Sequence, residues 1–259
     1  MSGKVYIVGA GPGAAELLTV KAASLLRVAD VVLHDDLVPQ EVLDRIGPSA
    51  EVINVGKRCG RHSTSQRQIN ALMIECARRH DNVVRLKSGD PAVFGRLGEE
   101  LDAMREAGIA FEIVPGVTAA TAAAAAAGFT LTDRRASSAL VILTAHNCRG
   151  QSLSSVLLDP EQSTYAIYMP GPDYSRTARD LLRLGLDEST PCALVSNAGK
   201  AQQQVKFLPL SELPSITSIV APAILVVGKV TERRSLPEFQ QFLEGFQARG
   251  KSSLPMAVS

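Results

Sequence analysis

The sequence of 259 residues contains no tryptophan, and aromatic residues make up only 4% of it. Proteins that bind single-stranded nucleic acid stack bases on aromatic side chains, and those that bind duplexes carry a large excess of positive charge. The net charge here is only +1, so both features count against a nucleic-acid partner. Recognition of an anion must therefore come from a local cluster of basic residues.

Cysteine and histidine are scarce, with four of each. No two cysteines form a Cys-x-x-Cys pair, and the spacing of neither residue type matches a metal-binding motif. We therefore predict no metal site. Isolated thiols in a chain of this length favour a reducing compartment, so we expect a cytoplasmic protein.

Long apolar runs are also missing. The N-terminus has no basic lead followed by an apolar core, so it does not resemble a signal peptide. The most apolar helical stretch, residues 117–127, is mostly alanine and too short to cross a bilayer. No phosphate-binding G-x-x-x-x-G-K, zinc-protease helix or nucleophilic triad motif is present, and we expect no membrane partner.

Runs of valine, isoleucine and leucine alternate instead with segments of helical periodicity. Continuous apolar runs are typical of strands that are buried on both faces of a parallel sheet. The alternation predicts an α/β fold with mainly parallel sheets. The predicted strands are residues 5–8, 31–33, 52–55, 83–86, 111–114, 140–143, 165–169, 193–195 and 224–227. The predicted helices are residues 16–29, 65–79, 95–107 and 175–185, with Ser65 as an N-cap.

A polar segment without clear periodicity, residues 130–138, divides the predicted strands into two sets of similar size. We predict an N-terminal α/β domain over residues 1–134 and a C-terminal α/β domain over residues 135–248. The tail, residues 249–259, contains glycine, lysine, serine and proline, and we expect it to be flexible.

A glycine-rich turn, residues 9–14 (the first turn), joins the first strand to the first helix. Its sequence fits G-x-G-x-x-A, and Asp35 and Asp36 stand where a ribose-binding acid of a dinucleotide site would lie. An NAD-binding oxidoreductase is therefore one hypothesis. Pro12 removes an N–H donor that a pyrophosphate would need, whereas a cationic sulfonium cofactor has no such need. Both hypotheses stay open at this point.

Two more turns of small residues follow strands, at residues 86–91 (the second turn) and 114–119 (the third turn). In the second turn, Asp90 either accepts hydrogen bonds from a ligand or caps the next helix as an Asx turn. Because the carboxyl ends of parallel strands meet at one edge of a sheet, we expect all three turns to line one side, where ligands bind in such folds.

Residues 52–73 contain no aspartate or glutamate but include several cations. Unbalanced cations on a loop suit a ligand with several carboxylates or phosphates, while a solvated surface loop is the simpler alternative. The cations of this segment are Lys57, Arg58, Arg61 and Arg67, with His62 beside them. Arg85, Lys87, Arg96, Arg134 and Arg135 are candidates to extend the patch.

Together these motifs form a series in a fixed order. They are VGAGPG at residues 8–13, GKRCG at 56–60, HSTSQ at 62–66, RLKSGDP at 85–91, FGR at 94–96, PGVTA at 115–119, LT at 131–132 and YM at 168–169. The series resembles the tetrapyrrole (corrin/porphyrin) methylase family over nearly the whole chain, most densely up to residue 132.

The resemblance implies two α/β domains with an active-site cleft between them, S-adenosylmethionine as cofactor, and a homodimer. It further implies two successive ring-carbon methylations of uroporphyrinogen III, giving precorrin-2 for siroheme- or cobalamin-type cofactors. A methylase of a later precorrin, a non-catalytic tetrapyrrole-binding protein and the NAD-binding oxidoreductase are the alternatives.

Residue roles also follow from the resemblance. By motif position, the residues that would touch the cofactor are Pro12, Ser88, Gly89, Asp90, Val93, Thr118, Ala119, Met169 and Ala198. Asp35 and Lys57 fall at the positions of a proton acceptor and a proton donor. Arg58, Arg61, His62 and Arg96 would bind substrate carboxylates. Ser88 departs from the family, which has glycine there, and would crowd the cofactor if the turn needs a positive backbone angle at that residue.

Overall fold

The computed structural model describes residues 3–56, 64–145, 159–171, 173–217 and 219–232. Within these ranges the chain forms two five-stranded sheets with helices packed on their faces. All nine predicted strands are present, which confirms the α/β fold. A tenth strand, which the sequence did not indicate, lies at the edge of the second sheet.

The first sheet has the strand order β3-β2-β4-β1-β5, and all of its strand pairs are parallel. Its strands are β1 (Lys4–Gly9), β2 (Val31–His34), β3 (Glu51–Asn54), β4 (Asn82–Lys87) and β5 (Ala110–Val114). The central strands are buried on both faces, as their continuous apolar runs predict. One face packs against α3 (Gln66–Arg79) and α4 (Leu97–Glu106), the other against α1 (Val20–Val28) and α2 (Gln40–Leu43).

The second sheet has the order β6-β7-β10-β8-β9 and is mixed. Its strands are β6 (Ala139–Thr144), β7 (Ser163–Tyr168), β8 (Pro191–Ser196), β9 (Gln204–Pro209) and β10 (Ala223–Val227). Only β6 and β7 pair in parallel, so the expectation of mainly parallel pairing holds for the first sheet and not for this one. The link from β8 to β9 is shorter than the dozen or so residues that a parallel crossover needs, and the two strands pair as an antiparallel hairpin.

The alanine-rich helix α5 (Ala119–Ala127) precedes the predicted domain boundary but packs on the second sheet. Ala120 and Ala123 are fully buried in a cluster with Val195 and Ile224, which lie on β8 and β10. Methyl side chains allow the helix to approach the sheet closely. The boundary at residue 134 stays a prediction.

The first helix begins later than predicted. A single 3-10 turn (Ala15–Leu17) follows the first turn, and the chain is then extended through Leu18 and Thr19 before α1 starts. The Thr19 hydroxyl caps α1 by accepting a hydrogen bond from the backbone N–H of Ala22 at 3.2 Å. The α-helix therefore starts well away from the glycines of the first turn.

The predicted N-cap at Ser65 is confirmed. The Ser65 hydroxyl accepts a hydrogen bond from the Gln68 backbone at 3.3 Å, and the Gln68 side chain accepts one from the Ser65 N–H at 2.8 Å, which completes a capping box. α6 (Tyr174–Arg183) carries a similar cap at Asp173. Throughout the described part of the chain, no helix has the length and apolar character that crossing a membrane would require.

We predict that Ser65→Ala lowers the free energy of unfolding by about 1 kcal/mol, because the first turn of α3 loses its capping acceptor. Ser24→Ala is the matched control, since Ser24 is an exposed serine within α1 and has no capping role. Urea unfolding of both variants measures the difference. Equal stability of the two variants would contradict the assignment of the cap.

Candidate active site

A cavity of about 400 Å³ lies between the two sheets and is here called the inter-sheet cavity. One wall comes from the carboxyl ends of β1, β2 and β4, and the other from the ends of β7, β8 and β10. The cavity brings together Asp35, Arg96 and all nine residues implied to touch the cofactor. Those nine are Pro12, Ser88, Gly89, Asp90, Val93, Thr118, Ala119, Met169 and Ala198.

The three predicted turns meet at this cavity and are hydrogen-bonded to one another. The Gly89 N–H donates to the Gly11 carbonyl oxygen at 2.7 Å, and the Gly11 N–H donates back to Gly89 at 3.2 Å. The Gly116 N–H donates to Oδ2 of Asp90 at 3.0 Å. The prediction that the turns line one side of the sheet is therefore confirmed.

Glycine is required where these turns touch. A Cβ on Gly9 would lie 2.6 Å from the Gly116 nitrogen, and a Cβ on Gly116 would overlap the Gly89 carbonyl oxygen. Both obstacles are backbone atoms, which cannot rotate away as a side chain can. The cavity wall here consists of backbone from three separate parts of the chain.

The serine at position 88 fits without strain. The positive backbone angle of the second turn falls on Gly89, whose φ is 67°, and Ser88 is not among the residues with positive φ. A Cβ on Gly89 would meet no atom within 4 Å, so this glycine leaves open space at the cavity. The serine that replaces the family's glycine at position 88 therefore neither strains the backbone of the second turn nor fills the open space beside Gly89.

Both carboxylate oxygens of Asp90 accept hydrogen bonds from backbone N–H groups. Oδ1 accepts a hydrogen bond from the Ala92 N–H at 2.8 Å, which is the Asx turn weighed from the sequence, and Oδ2 accepts from Gly116 in the third turn. Asp90 thus ties the second turn to the third while also lining the cavity.

Asp35, the candidate proton acceptor, follows β2 and lines the cavity. Nη2 of Arg85 lies 2.5 Å from its Oδ1. Arg85 also donates through Nε to Oε1 of Glu100 at 3.0 Å, and Nζ of Lys87 lies 2.8 Å from the same oxygen. We call Asp35, Arg85, Lys87 and Glu100 the ion network; the last three are buried, and Asp35 is partly exposed.

The network corrects the expectation that Arg85 and Lys87 extend a cationic patch for the substrate. Both side chains line the cavity, but they are almost fully buried and their charges are paired with Glu100 and Asp35. The reason is their position on β4, the central strand, where side chains on either face enter a core. Arg134 and Arg135 are exposed and are not part of the cavity lining.

Burial lowers the pKa of Lys87, and the neighbouring Arg85 charge lowers it further, whereas Glu100 raises it. Glu100 itself is completely buried on α4, and its Oε2 has no hydrogen-bond partner within the described ranges. The burial of Glu100 could have been predicted from the sequence. Glu100 is three residues after Leu97 and four before Met104, which places it on the apolar face of its helix.

The second sheet contributes Tyr168, at the end of β7. Its hydroxyl lies 2.5 Å from the Thr118 hydroxyl and accepts a hydrogen bond from the Ala120 N–H at 3.0 Å. Its ring packs against Phe94 with the centroids 5.2 Å apart. Tyr168 therefore fixes the start of α5, where two of the predicted cofactor residues lie.

Left-handed backbone at non-glycine residues is concentrated around the cavity. The described residues of this kind are Phe94, Arg96, Met169 and Asn197, with φ between 49° and 54°. Three of them line the cavity, and Asn197 precedes the lining residue Ala198. Such conformations are unfavourable and tend to persist at functional sites.

Arg96 and Lys200 place positive charge at the cavity. Nε and Nη2 of Arg96 donate to the two oxygens of Glu99, each at 2.7 Å, in a bidentate pair. Lys200, in the turn after β8, was not indicated by the sequence. Its stem crosses the first turn so closely that a Cβ on Gly13 would overlap it. Lys200 belongs to no sequence motif, so the sequence alone gave no reason to place it at the site.

Four predicted site residues lie outside the described residues: Lys57, Arg58, Arg61 and His62. Val55 and Gly56, which precede them, line the cavity. The predicted tail, residues 249–259, lies outside the described residues as well. No group of three or more Cys, His, Asp or Glu in the described ranges is arranged to hold a metal ion.

The first turn does not have the geometry of a dinucleotide site. In such sites the pyrophosphate is bound at the N-terminus of the helix that directly follows the glycines. Here a 3-10 turn and an extended segment intervene before α1. Asp35, at the position of a ribose-binding acid, is paired with Arg85. These features argue against the oxidoreductase hypothesis.

Comparison with known proteins gives a consistent result. The sequence model of the family Tetrapyrrole (Corrin/Porphyrin) Methylases matches residues 4–214. Siroheme synthase 1 of Pectobacterium atrosepticum is 43% identical over 233 residues, which are 89% of this chain and 48% of that protein. The chain thus spans about half the length of the curated relatives it matches.

Solved structures resemble the chain over most of its length. The native uroporphyrin III C-methyl transferase from Thermus thermophilus matches with a TM-score of 0.77 and 37% identity, covering 88% of this chain and 98% of that one. The same Thermus enzyme has been solved with S-adenosyl homocysteine, and that structure matches at 0.76 and 35%, covering 89% and 94%. The cobalt precorrin-4 methyltransferase CbiF matches at 0.78 and 30%, covering 89% and 96%.

We predict that Gly116→Ala destabilises the protein by about 2–3 kcal/mol, because the added methyl overlaps backbone atoms that can move only with the turns themselves. Gly98→Ala is the matched control, since a Cβ on Gly98 would meet no atom within 4 Å. Alanine also suits the helical position of Gly98, so this control should be unchanged or up to about 1 kcal/mol more stable. Urea unfolding measures both variants. A Gly116→Ala protein as stable as the Gly98→Ala protein would rule out a tight contact between the turns.

Proposed function

The chain belongs to the tetrapyrrole (corrin/porphyrin) methylase family, and from this we propose that it methylates two ring carbons of uroporphyrinogen III in succession, with S-adenosylmethionine as methyl donor. The product is precorrin-2, a precursor of siroheme- and cobalamin-type cofactors. One observation carries the proposal: three glycine turns and Asp35 converge on a single cavity between the sheets. The printed names of the siroheme synthase relatives and of the Thermus enzyme support the choice of substrate.

The residues around the cavity fit the proposed cofactor. The turns offer backbone groups and small side chains, and Gly89 leaves open space beside them. Ala198 and Met169 come from the opposite wall, so the site would be completed by both sheets. When bound, S-adenosylmethionine supplies an electrophilic methyl group on a sulfonium. The nine cavity residues would hold it in a fixed direction, which matters because an in-line displacement depends strongly on positioning.

Asp35 is proposed as the carboxylate that serves the chemistry. A pyrrole carbon that gains a methyl group leaves its ring cationic, and a nearby carboxylate stabilises that charge. The same carboxylate can then accept a proton as the ring system rearranges. The side chain of Asp35 is 28% exposed, and it lines the cavity, so it is accessible from there.

Substrate carboxylates are proposed to bind to the cations at the cavity rim. Arg96, whose side chain is 46% exposed, belongs to this set, and Glu99 fixes the plane of its guanidinium. Arg58, Arg61 and His62 are proposed for the same role, and Lys57 as the proton donor. Uroporphyrinogen carries many carboxylates, so several cations are required.

A methylase of a later precorrin is the second candidate. The likeness to the cobalt precorrin-4 methyltransferase favours it, since the TM-score is as high as for the Thermus enzyme. The sequence identity is lower, at 30% against 37%, and the siroheme synthase relatives also favour the first candidate.

Mass spectrometry of uroporphyrinogen III incubated with the protein and isotope-labelled S-adenosylmethionine tests the proposal. We expect two labelled methyl groups per tetrapyrrole. A later precorrin is incubated in parallel. Methylation of that precorrin, with uroporphyrinogen III unchanged, would support the second candidate. Failure to transfer methyl to any tetrapyrrole, with binding retained, would indicate a non-catalytic binding protein.

We further propose that the protein is a cytoplasmic homodimer, as the family resemblance implies. Analytical ultracentrifugation of the full chain measures the assembly, with a single species of twice the chain mass as the expected result. A monomer at micromolar concentration that still transfers methyl groups would remove the dimer from the proposal.

We predict that Asp35→Asn lowers kcat for methyl transfer by at least about 100-fold, because the amide can neither accept the proton nor offset the ring charge. The Kd for S-adenosylhomocysteine should stay close to that of the unmodified protein. Asp36→Asn is the matched control, as Asp36 is the next residue and also lines the cavity. Its kcat should fall much less. Full activity of Asp35→Asn would remove Asp35 from the chemistry.

A further inference from the structure

The carboxylate of Asp35 is held at one of its two oxygens. Oδ1 is 2.5 Å from Nη2 of Arg85, which is only 2% exposed. Among the residues that the structure describes, no hydrogen bond reaches Oδ2. The backbone is also fixed, because the Asp35 N–H donates to the Leu86 carbonyl at 3.1 Å and Nδ1 of His34 lies 3.0 Å from the Asp35 carbonyl oxygen. One oxygen is thus committed to the protein, and the other is left for the cavity.

Arg85 is itself fixed at every nitrogen of its guanidinium. Nε donates to Glu100, Nη1 lies 3.4 and 3.3 Å from the carbonyl oxygens of Leu33 and Leu86, and Nη2 donates to Asp35. The two carbonyls belong to neighbouring strands of the first sheet. The orientation of the guanidinium plane is therefore set by the sheet and by Glu100 before any substrate is present.

Glu100 provides the counter-charge that keeps Arg85 in the core. Its Oε1 accepts from Arg85, from Lys87 at 2.8 Å and from Gln66 at 3.3 Å, while the residue is completely buried. With Asp35, the network contains two carboxylates and two cations. A buried charge without a partner is strongly unfavourable, so the members of this network depend on one another.

We infer that Arg85 is a positioning residue for Asp35. It anchors Oδ1, with Glu100 and Lys87 as its support, and so presents Oδ2 to the reacting ring. This inference rests on the proposed function, because it assigns Arg85 a task only if Asp35 serves the chemistry. Arginine is needed because its planar fork donates to two carboxylates in fixed directions, which the single ammonium of lysine does not.

The test is a double-mutant cycle with Arg85→Lys and Asp35→Asn. Arg85→Lys keeps the buried positive charge beside Glu100, so it is chosen to preserve folding. Arg85→Gln is the second variant, in case the lysine protein does not fold. Each protein is assayed for methyl transfer to uroporphyrinogen III, for S-adenosylhomocysteine binding by calorimetry, and for stability in urea.

We expect Arg85→Lys to lower kcat at least about 10-fold while the KM for S-adenosylmethionine and the Kd for S-adenosylhomocysteine change less than about 2-fold. In the Asp35→Asn background the same replacement should lower kcat by less than about 2-fold, because the group it positions is already gone. A purely structural role would instead lower stability and binding together.

Two results would overturn the inference: normal kcat in Arg85→Lys, or a loss that multiplies fully with that of Asp35→Asn. Either is distinct from failure of the proposed function, which would appear as absence of methyl transfer in the unmodified protein or full activity in Asp35→Asn. A crystal structure of Arg85→Lys gives a readout independent of activity. An Asp35 carboxylate in its original orientation there would also contradict the assignment.

Discussion

Contact between the backbones of three turns is the constraint on which the rest of the structure depends. β4, β1 and β5 lie side by side in the first sheet, so the turns that follow them leave from neighbouring positions at one edge. Gly9 and Gly116 then let those turns touch without a side chain between them, and Gly89 adopts the positive φ of the second turn. The result is a cavity wall made of peptide groups, which does not depend on rotamers. Asp35, the proposed catalytic carboxylate, and the residues proposed to touch the cofactor are arranged around that wall.

Much of the fold was accessible from the sequence because its patterns are local. Continuous apolar runs predicted nine strands, and Ser65 predicted the start of α3. Pairing direction in the second sheet was not accessible, since it depends on which strands become neighbours, and β10 pairs with strands that are distant in the chain. In β9, polar residues alternate with apolar ones, as suits an edge strand. It was missed because it lacks the continuous apolar run by which the other strands were predicted.

Within the candidate site, the motifs identified residues that line the cavity, but they did not show which charged side chains form ion pairs with one another. Arg85 and Lys87 were expected to meet the substrate, and the structure pairs them instead with a glutamate on α4. That pairing is set by the side of β4 on which the two side chains lie and by the position of Glu100 on the buried face of α4. Lys200 comes from the other sheet, and no pattern along the chain connects it to the first turn.

The alanines of α5 have a consequence for the width of the inter-sheet cavity. This helix begins at two cavity residues on one wall and lies on the sheet that forms the other, with only methyl groups in between. Those methyls keep the helix close to the second sheet, so the position of its first residues at the cavity depends in part on alanines that lie outside the cavity lining. A larger residue at Ala120 or Ala123 would have to move the helix away from the sheet, and Thr118 and Ala119 at the cavity would move with it.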